Sequence, residues 1–125
     1  TGWPDAAQHA TTLRAQMAAE YPSATLFVPN WAFASRLAWY ARPLAVQVTD
    51  ERADQFDFWF GVPAPGANGV LVAPEAALKS TRRILTRFDS CQEQERLPVY
   101  RGGLLLTHFH FYLCRGYRGI ADNDA

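Results

Sequence analysis

Prolines divide the first half of the chain into short segments whose apolar residues change period from one segment to the next. A proline suits the first turn of a helix but cannot continue one, so Pro4 marks a helix start, and Pro22 and Pro43 mark helix ends. Between these limits we predict helix, strand, helix and strand, over residues 3–21, 24–29, 31–42 and 44–48. Because a helix between two strands returns the chain to the same end of a sheet, this order predicts parallel pairing.

The second half begins in the same way and then changes character. A strand at 70–73 and a helix at 74–83 are predicted first, with Pro74 at the helix start. Three further strands then follow without a helix between them, over residues 85–90, 97–101 and 104–114. Gly102-Gly103 favours a tight hairpin turn between the last two. We therefore predict an α/β domain of the mixed α+β kind, in which a βαβ first half and an antiparallel β-meander form one sheet flanked by helices.

Length and charge narrow the classes of function. With 125 residues the chain has the size of one domain, and we assign residues 1–120 to it and the acidic residues 121–125 to a tail. Twelve Lys and Arg balance twelve Asp and Glu, so the chain lacks the positive charge on which nucleic-acid binding depends. No stretch reaches the roughly 20 apolar residues of a membrane-spanning helix. The opening Thr1, which is not a methionine, indicates a part excised from a longer protein.

The sequence does not decide whether its two cysteines, Cys91 and Cys114, are free thiols or form a disulfide. They are too few for a disulfide scaffold and do not have zinc-site spacing. A single bridge in an oxidising compartment is one interpretation. Two separate buried thiols are the other, because a free cysteine packs as a small apolar side chain.

The pair His108 and His110 is the sharpest candidate for chemistry. Residues two apart in a strand share a face, so both imidazoles could bind one metal ion, and Cys114 has the same parity. The strand holds no acidic residue, and His9, the remaining histidine, lies on the first helix. The alternative is a polar row on one face of a terminal strand. We expect no metal and no cofactor, because the sequence places no third and fourth ligand nearby.

Four acidic residues within eight positions form a second candidate: Asp50, Glu51, Asp54 and Asp57. A glycosidase needs two carboxylates that face each other across a sugar. Arg52 and Gln55 are interspersed among these acids, which is typical of a solvated loop. A glycine-flanked serine elbow and a phosphate-binding glycine loop are both missing from the sequence. We therefore predict no complete catalytic centre in this chain.

Aromatic residues cluster at 31–40 and 56–60, and these segments carry a resemblance. We expect most of them in the core and one or two at a groove or a partner surface. The opening Gly2-Trp3, the stretch Ala34–Tyr40 and the segment Gln55–Trp59 resemble motifs of a known domain. It is the soluble C-terminal domain of bacterial membrane glycosyltransferases related to dolichyl-phosphate-mannose protein mannosyltransferases and aminoarabinose lipid A transferases. Trp39 stands where that family has Phe, and Gly116–Gly119 is similar to the family's ending.

The resemblance implies an accessory domain outside the inner membrane, in the periplasm or its equivalent. The parent would be a polytopic glycosyltransferase that uses a polyprenyl-phosphate-linked sugar donor, with its catalytic acid in membrane segments absent from this chain. The implied partners are its own transmembrane domain and a glycan or lipid-linked acceptor. The residues that would contact the acceptor, if they meet in one open groove, are Tyr40, Gln55, Asp57 and Trp59. In that compartment Cys91 and Cys114 could oxidise.

Two other functions stay open at this level. A free-standing protein could bind a small molecule or a metal through His108 and His110, since open sheets bind ligands beyond the carboxyl ends of their strands. A protein-interaction module could instead use exposed tryptophans.

Overall fold

Helices and strands follow one another in the predicted order over residues 2–49 and 61–119, the parts of the chain that this computed structural model describes. The helices are α1 (Trp3–Ala18), α2 (Trp31–Ala41) and α3 (Leu78–Leu85), the last entered through a 3-10 turn at Glu75–Ala77. The strands are β1 (Thr25–Val28), β2 (Val46–Val48), β3 (Gly69–Pro74), β4 (Phe88–Glu93), β5 (Leu97–Arg101) and β6 (Leu104–Tyr117). The predicted α+β class is confirmed. The predicted tail, 121–125, lies outside the described residues.

Helix α1 starts from a glycine that no other residue could replace without strain. Gly2 has a φ of 86°, in the left-handed region, and a Cβ atom there would meet Val99 at 2.9 Å and Phe109 at 3.0 Å. Pro4 occupies the first turn and Asp5 lies at the positive end of the helix dipole, as predicted. Half of the residues on the buried side of the helix are alanines: the side consists of Trp3, Ala6, Ala7, Ala10, Leu13 and Met17. The small residues allow α1 to approach the sheet closely.

Helix α2 begins at a side-chain cap and buries one side along steps of four residues. The Ala32 amide donates to Asn30 Oδ1 at 2.9 Å, which satisfies one of the free amides at the helix start. Leu37 and Ala41 are buried, and Phe33, four residues before Leu37, is partly buried. Tyr40 is 51% exposed, so it is one of the aromatic residues that lie outside the core.

The sheet has the strand order β2-β1-β3-β6-β4, with β5 also paired to β6. Strand β1 pairs in parallel with β2 and with β3, as the βαβ order predicted. Strand β3 pairs antiparallel with β6, from Gly69 opposite Cys114 to Pro74 opposite Phe109. The mixed sheet is confirmed, with its parallel and antiparallel parts joined at β3.

Strands β4 and β5 lie end to end along one edge of β6, which differs from a simple meander. Strand β4 pairs with the C-terminal half of β6, up to Glu93 opposite Tyr112, and β5 pairs with the N-terminal half, from Leu97 opposite Phe109. A meander would have placed β5 between the other two. The fourteen residues of β6 are long enough to pair with both strands. Residues 97–108 thus form a hairpin that continues past the end of β3; we call this segment the hairpin tip.

Two boundaries between secondary-structure elements differ from the predicted positions. The predicted helix 74–83 begins as a 3-10 turn and becomes α-helical only at Leu78, and it continues to Leu85. The strand predicted at 85–90 accordingly starts at Phe88. Leu85 is apolar and suits either element, so the sequence alone did not separate them.

Buried apolar residues form one cluster on each side of the sheet. On the side covered by α1 and α2, the cluster includes Trp3, Leu26, Leu37 and Phe111; we call this the α1/α2 face. On the other side, the α3 face, the cluster is smaller and holds Phe27, Leu71, Ile84, Phe88, Tyr112, Cys114 and Tyr117. Alternate residues of a strand therefore supply the two clusters, as a sheet covered on both sides requires.

Cys91 and Cys114 are joined by a disulfide. They lie opposite each other in β4 and β6, with 4.1 Å between their Cα atoms. The bond ties an edge strand to the longest strand of the sheet, and neither cysteine remains free. Of the two interpretations left open by the sequence, the structure has the bridge.

Candidate functional site

His108 and His110 share one face of β6, as predicted, and Glu75 lies between them. Glu75 Oε1 is 3.4 Å from His108 Nδ1 and 3.3 Å from His110 Nε2. Glu75 belongs to the 3-10 turn directly after β3, and β3 is the neighbour of β6 in the sheet. The acidic partner that is missing from the strand itself therefore comes from the end of the next strand. Sequence analysis missed it because the two residues are 35 positions apart.

The carboxylate of Glu75 is held ionised by this arrangement. The hydrogen bond from His110 lowers the pKa of Glu75 most, burial opposes this, and the charge of His108 lowers it further. The side chain of His110 is only 5% exposed, against 45% for Glu75. His110 Nδ1 is buried and has no hydrogen-bond partner among the described residues. One carboxylate thus joins a buried and a half-buried imidazole at the corner between β3 and β6.

The cluster does not provide a metal cage. Within residues 2–49 and 61–119, no group of three or more His, Cys, Asp or Glu side chains is arranged to hold a metal ion. The two imidazole centroids are 6.4 Å apart. Cys114, which the sequence allowed as an extension of the row, is in the disulfide and has no thiolate to donate. The described geometry is that of a hydrogen-bonded corner.

A second candidate site is a groove of about 440 Å³ along α1 and the C-terminal end of α2. Residues of α1 line it, namely Pro4, Gln8, Thr11, Thr12, Arg14 and Ala15. The end of α2 and the residues that follow it complete the lining, with Tyr40, Ala41, Arg42, Pro43 and Leu44. The Tyr40 ring is half exposed there, so an aromatic face and several hydrogen-bonding groups meet in one open space.

Only one of the four predicted acceptor contacts lies in the described chain. Tyr40 lines the groove, whereas Gln55, Asp57 and Trp59 lie outside the described residues, as does the acidic group at 50–57. Trp39, next to Tyr40, is 59% exposed and stacks under the guanidinium of Arg42, which is 3.7 Å from the ring centroid. The end of α2 thus presents two aromatic side chains and a cation to solvent.

Arg87 is a buried cation that sequence analysis did not single out. It is 4% exposed, and its Nη1 donates to the Thr49 carbonyl at 2.6 Å. Thr49 follows β2 and donates through its hydroxyl to the Val28 carbonyl at 2.9 Å. These bonds fix the carboxyl ends of β1 and β2 to the strand that follows α3. An arginine that follows a helix is usually exposed to solvent, so nothing in the local sequence indicated that Arg87 is buried.

The chain was compared with protein-family models, curated proteins and solved structures, and no match was found. None of the helices in the described ranges has both the length and the apolar character needed to cross a bilayer.

Proposed function

We propose that this chain is the extracytoplasmic accessory domain of a polytopic membrane glycosyltransferase that uses a polyprenyl-phosphate-linked sugar donor. The domain contributes no catalytic group; it contacts the acceptor or braces the membrane domain. The observation that carries this proposal is the position of Tyr40, which belongs to the motif at 34–40 and lines an open groove.

The other motif residues support a shared framework beneath that groove. Trp3 is buried and its ring lies 5.8 Å from Phe33 and 4.8 Å from Phe109, centroid to centroid. Leu37 is fully buried between α2 and the sheet. The motif therefore divides into residues that join α1, α2 and β6 and residues that face solvent, such as Trp39 and Tyr40. Of these two exposed aromatic residues, Tyr40 lines the groove.

The chemistry of the groove suits a ligand rich in hydroxyl groups. A sugar has an apolar C–H face and a polar rim, and an aromatic ring with a hydroxyl tip offers both kinds of contact. Around Tyr40, the side chains of Gln8, Thr12 and Arg42 supply donors and acceptors. A few polar groups on a partly apolar surface is the usual composition of a small-molecule site.

The disulfide supports the proposed compartment. Bridges such as Cys91–Cys114 persist in oxidising surroundings and are rare in the reducing cytosol. A periplasmic domain would form this bridge on export.

Location can be tested with the full reading frame and a topology reporter. We expect the segment preceding Thr1 to encode several apolar helices of spanning length. Alkaline phosphatase fused after this chain should be active, since that enzyme needs its own disulfides. A parent without spanning helices would contradict the proposal. So would an inactive phosphatase fusion together with a fluorescent signal from a reporter that folds only in the cytoplasm, fused at the same position.

Acceptor contact can be tested by Tyr40→Ala in the full-length parent. We expect transfer at limiting acceptor to fall roughly three- to tenfold, the value of one aromatic contact. Tyr40→Phe should retain most of the activity if the ring stacks on the acceptor. The control is Trp31→Ala, which removes a similarly exposed aromatic residue at the other end of α2, outside the groove. Equal losses from both alanine variants would show that the groove has no special role.

One observation favours the alternative, a free-standing metal- or small-molecule-binding protein. Glu75 gives His108 and His110 an acidic neighbour that the sequence did not show. This alternative predicts stoichiometric zinc in the purified chain, and its loss in His110→Ala. Protein that stays free of zinc after dialysis against a zinc salt would rule out the metal-binding form of this alternative.

A further inference from the structure

The hairpin tip exposes several large apolar side chains to solvent, although such side chains are usually buried when a protein folds. Leu104 is 72% exposed, Leu105 and Leu106 are each 53% exposed, and Tyr100 is 60% exposed. Strand β3 ends opposite Phe109, so among the described strands only β5 pairs with this part of β6. The leucines therefore lie on a ribbon that extends beyond the body of the sheet.

We propose that the hairpin tip is a membrane-docking element, which inserts Leu104, Leu105 and Leu106 into the headgroup region of an anionic bilayer. This inference rests on the hairpin alone and does not depend on the activity of any parent protein.

Both faces of the ribbon are apolar at its end. Leu104 pairs with Arg101 and Leu105 with Tyr100, and neighbouring residues of a strand point to opposite faces. A bulge follows at Leu106, where the register shifts between Val99 and Tyr100. A protein partner that docks against a ribbon covers one face or one edge. Leucines on both faces instead match a medium that is apolar on all sides, such as the lipid boundary.

The dimensions of the tip match the depth of that boundary. Three residues of a strand span about 10 Å, and interfacial elements bury their apolar side about 5–10 Å into the headgroup and acyl boundary. The hairpin closes with a two-residue turn at Gly102 and Gly103, both with positive φ. Such a turn leaves few unpaired backbone groups at the end of the ribbon, which lowers the cost of entering an apolar phase.

Charge at the tip favours an anionic surface. Residues 97–108 include Arg101 and no acidic residue, whereas Glu93 and Glu95 precede β5, together with Arg96, at the end of the hairpin away from its turn. Arg101 is exposed beside Leu104, and a long arginine side chain can keep its guanidinium at the headgroups while its stem contacts lipid. Tyr100 offers an amphipathic ring of the kind enriched at membrane interfaces.

The test is sedimentation of the chain with phosphatidylethanolamine–phosphatidylglycerol vesicles at lipid concentrations in the millimolar range. We expect the variant Leu104→Ser/Leu105→Ser/Leu106→Ser to lose partitioning on the order of 100-fold, since each of the three partly exposed leucines contributes about fivefold. Its thermal unfolding should match the wild type, because these side chains contribute little to the core. The matched control, Trp39→Ser/Val62→Ser, removes similarly exposed apolar side chains elsewhere and should partition like the wild type.

The anionic contribution is tested by Arg101→Gln. Its partitioning should fall about fivefold on vesicles with phosphatidylglycerol and stay unchanged on phosphatidylcholine alone. Raised salt should reduce the wild-type advantage in the same way.

Two outcomes would overturn the proposal. One is wild-type partitioning no greater than that of the triple leucine variant. The other is a dimer in sedimentation velocity that the leucine substitutions dissociate, without vesicle binding by the wild type, because a second copy would then cover the tip. Both outcomes are independent of the phosphatase fusion, so failure here is distinguishable from failure of the proposed function.

Discussion

The two faces of the sheet are stabilised in different ways. Of the described residues, eighteen form the buried cluster of the α1/α2 face and seven form that of the α3 face, so apolar burial stabilises mainly the first. The α3 face instead carries a disulfide, the buried Arg87 and the corner formed by Glu75 and His110. We therefore expect the first face to respond to changes in side-chain volume, and the second to redox conditions and pH.

The short length of α3 explains the difference. Within its eight residues only Thr81 and Ile84 are buried, while Arg82 and Arg83 are exposed. In contrast, α1 alone buries six residues against the sheet. A helix of two turns cannot cover a sheet face by itself, and covalent and polar bonds complement it.

The largest effect should come from Phe111→Ala on the α1/α2 face. Phe111 is fully buried and its ring lies 4.5 Å from that of His9, centroid to centroid. We expect the free energy of unfolding to fall by about 4 kcal/mol, the usual cost of emptying such a site. Phe111→Leu should cost about 1.5 kcal/mol or less. Denaturant unfolding measures both, and a small cost for alanine would mean that this face can collapse around a void.

A smaller effect is expected from removing the bridge on the α3 face by Cys91→Ala/Cys114→Ala. The two cysteines are 23 positions apart, and closing a loop of that size in the unfolded chain contributes about 3 kcal/mol. The same loss should follow when the wild type is unfolded in the presence of a thiol reductant. The double variant should be indifferent to reductant. An unchanged midpoint in reduced wild type would show that the bridge does not stabilise this face.

The smallest effect should be the pH response of Glu75→Gln. The folded-state pKa of Glu75 lies below its unfolded value of 4.5, so its carboxylate stabilises the fold above that pH. This stabilisation disappears as the pH falls through the folded pKa. We expect the variant to be less stable than the wild type at neutral pH, with a gap that narrows as the pH falls below 4.5 and through the lowered folded-state pKa. A gap that is constant with pH would assign the loss to packing. His9→Gln, a substitution on the opposite face, is the control.

Local sequence patterns predicted most of the helices and strands but few of the contacts between them. Asn30 caps α2, and Gly102-Gly103 forms the hairpin turn, because capping and positive φ depend on the residue itself. The boundary at Leu85 was misplaced, since an apolar residue suits the end of a helix and the start of a strand alike. Which aromatic residues of α2 lie outside the core was not predicted, because neighbouring residues of a helix differ in direction by about 100° and tertiary packing selects the buried side.

The candidate site was predicted only in part. The shared face of His108 and His110 follows from the period of a strand and was correct. Glu75 could not be foreseen, because only the pairing of β3 with β6 brings it there. The apolar segment Leu104–Leu106 predicted a strand, but its exposure depends on where β3 ends.

By itself, then, the sequence determined what each segment becomes: the helices between their prolines, the parallel βαβ unit, the hairpin turn and the row of histidines. Only the tertiary structure decided which strands pair and which distant residues contact each other. It placed β4 and β5 on the same edge of β6, joined Cys91 to Cys114 and set Glu75 between two imidazoles. The physical reason is that conformational preference acts over a few residues. Burial, disulfide formation and ion pairing instead depend on neighbours that are distant in sequence, and the sheet selects those neighbours.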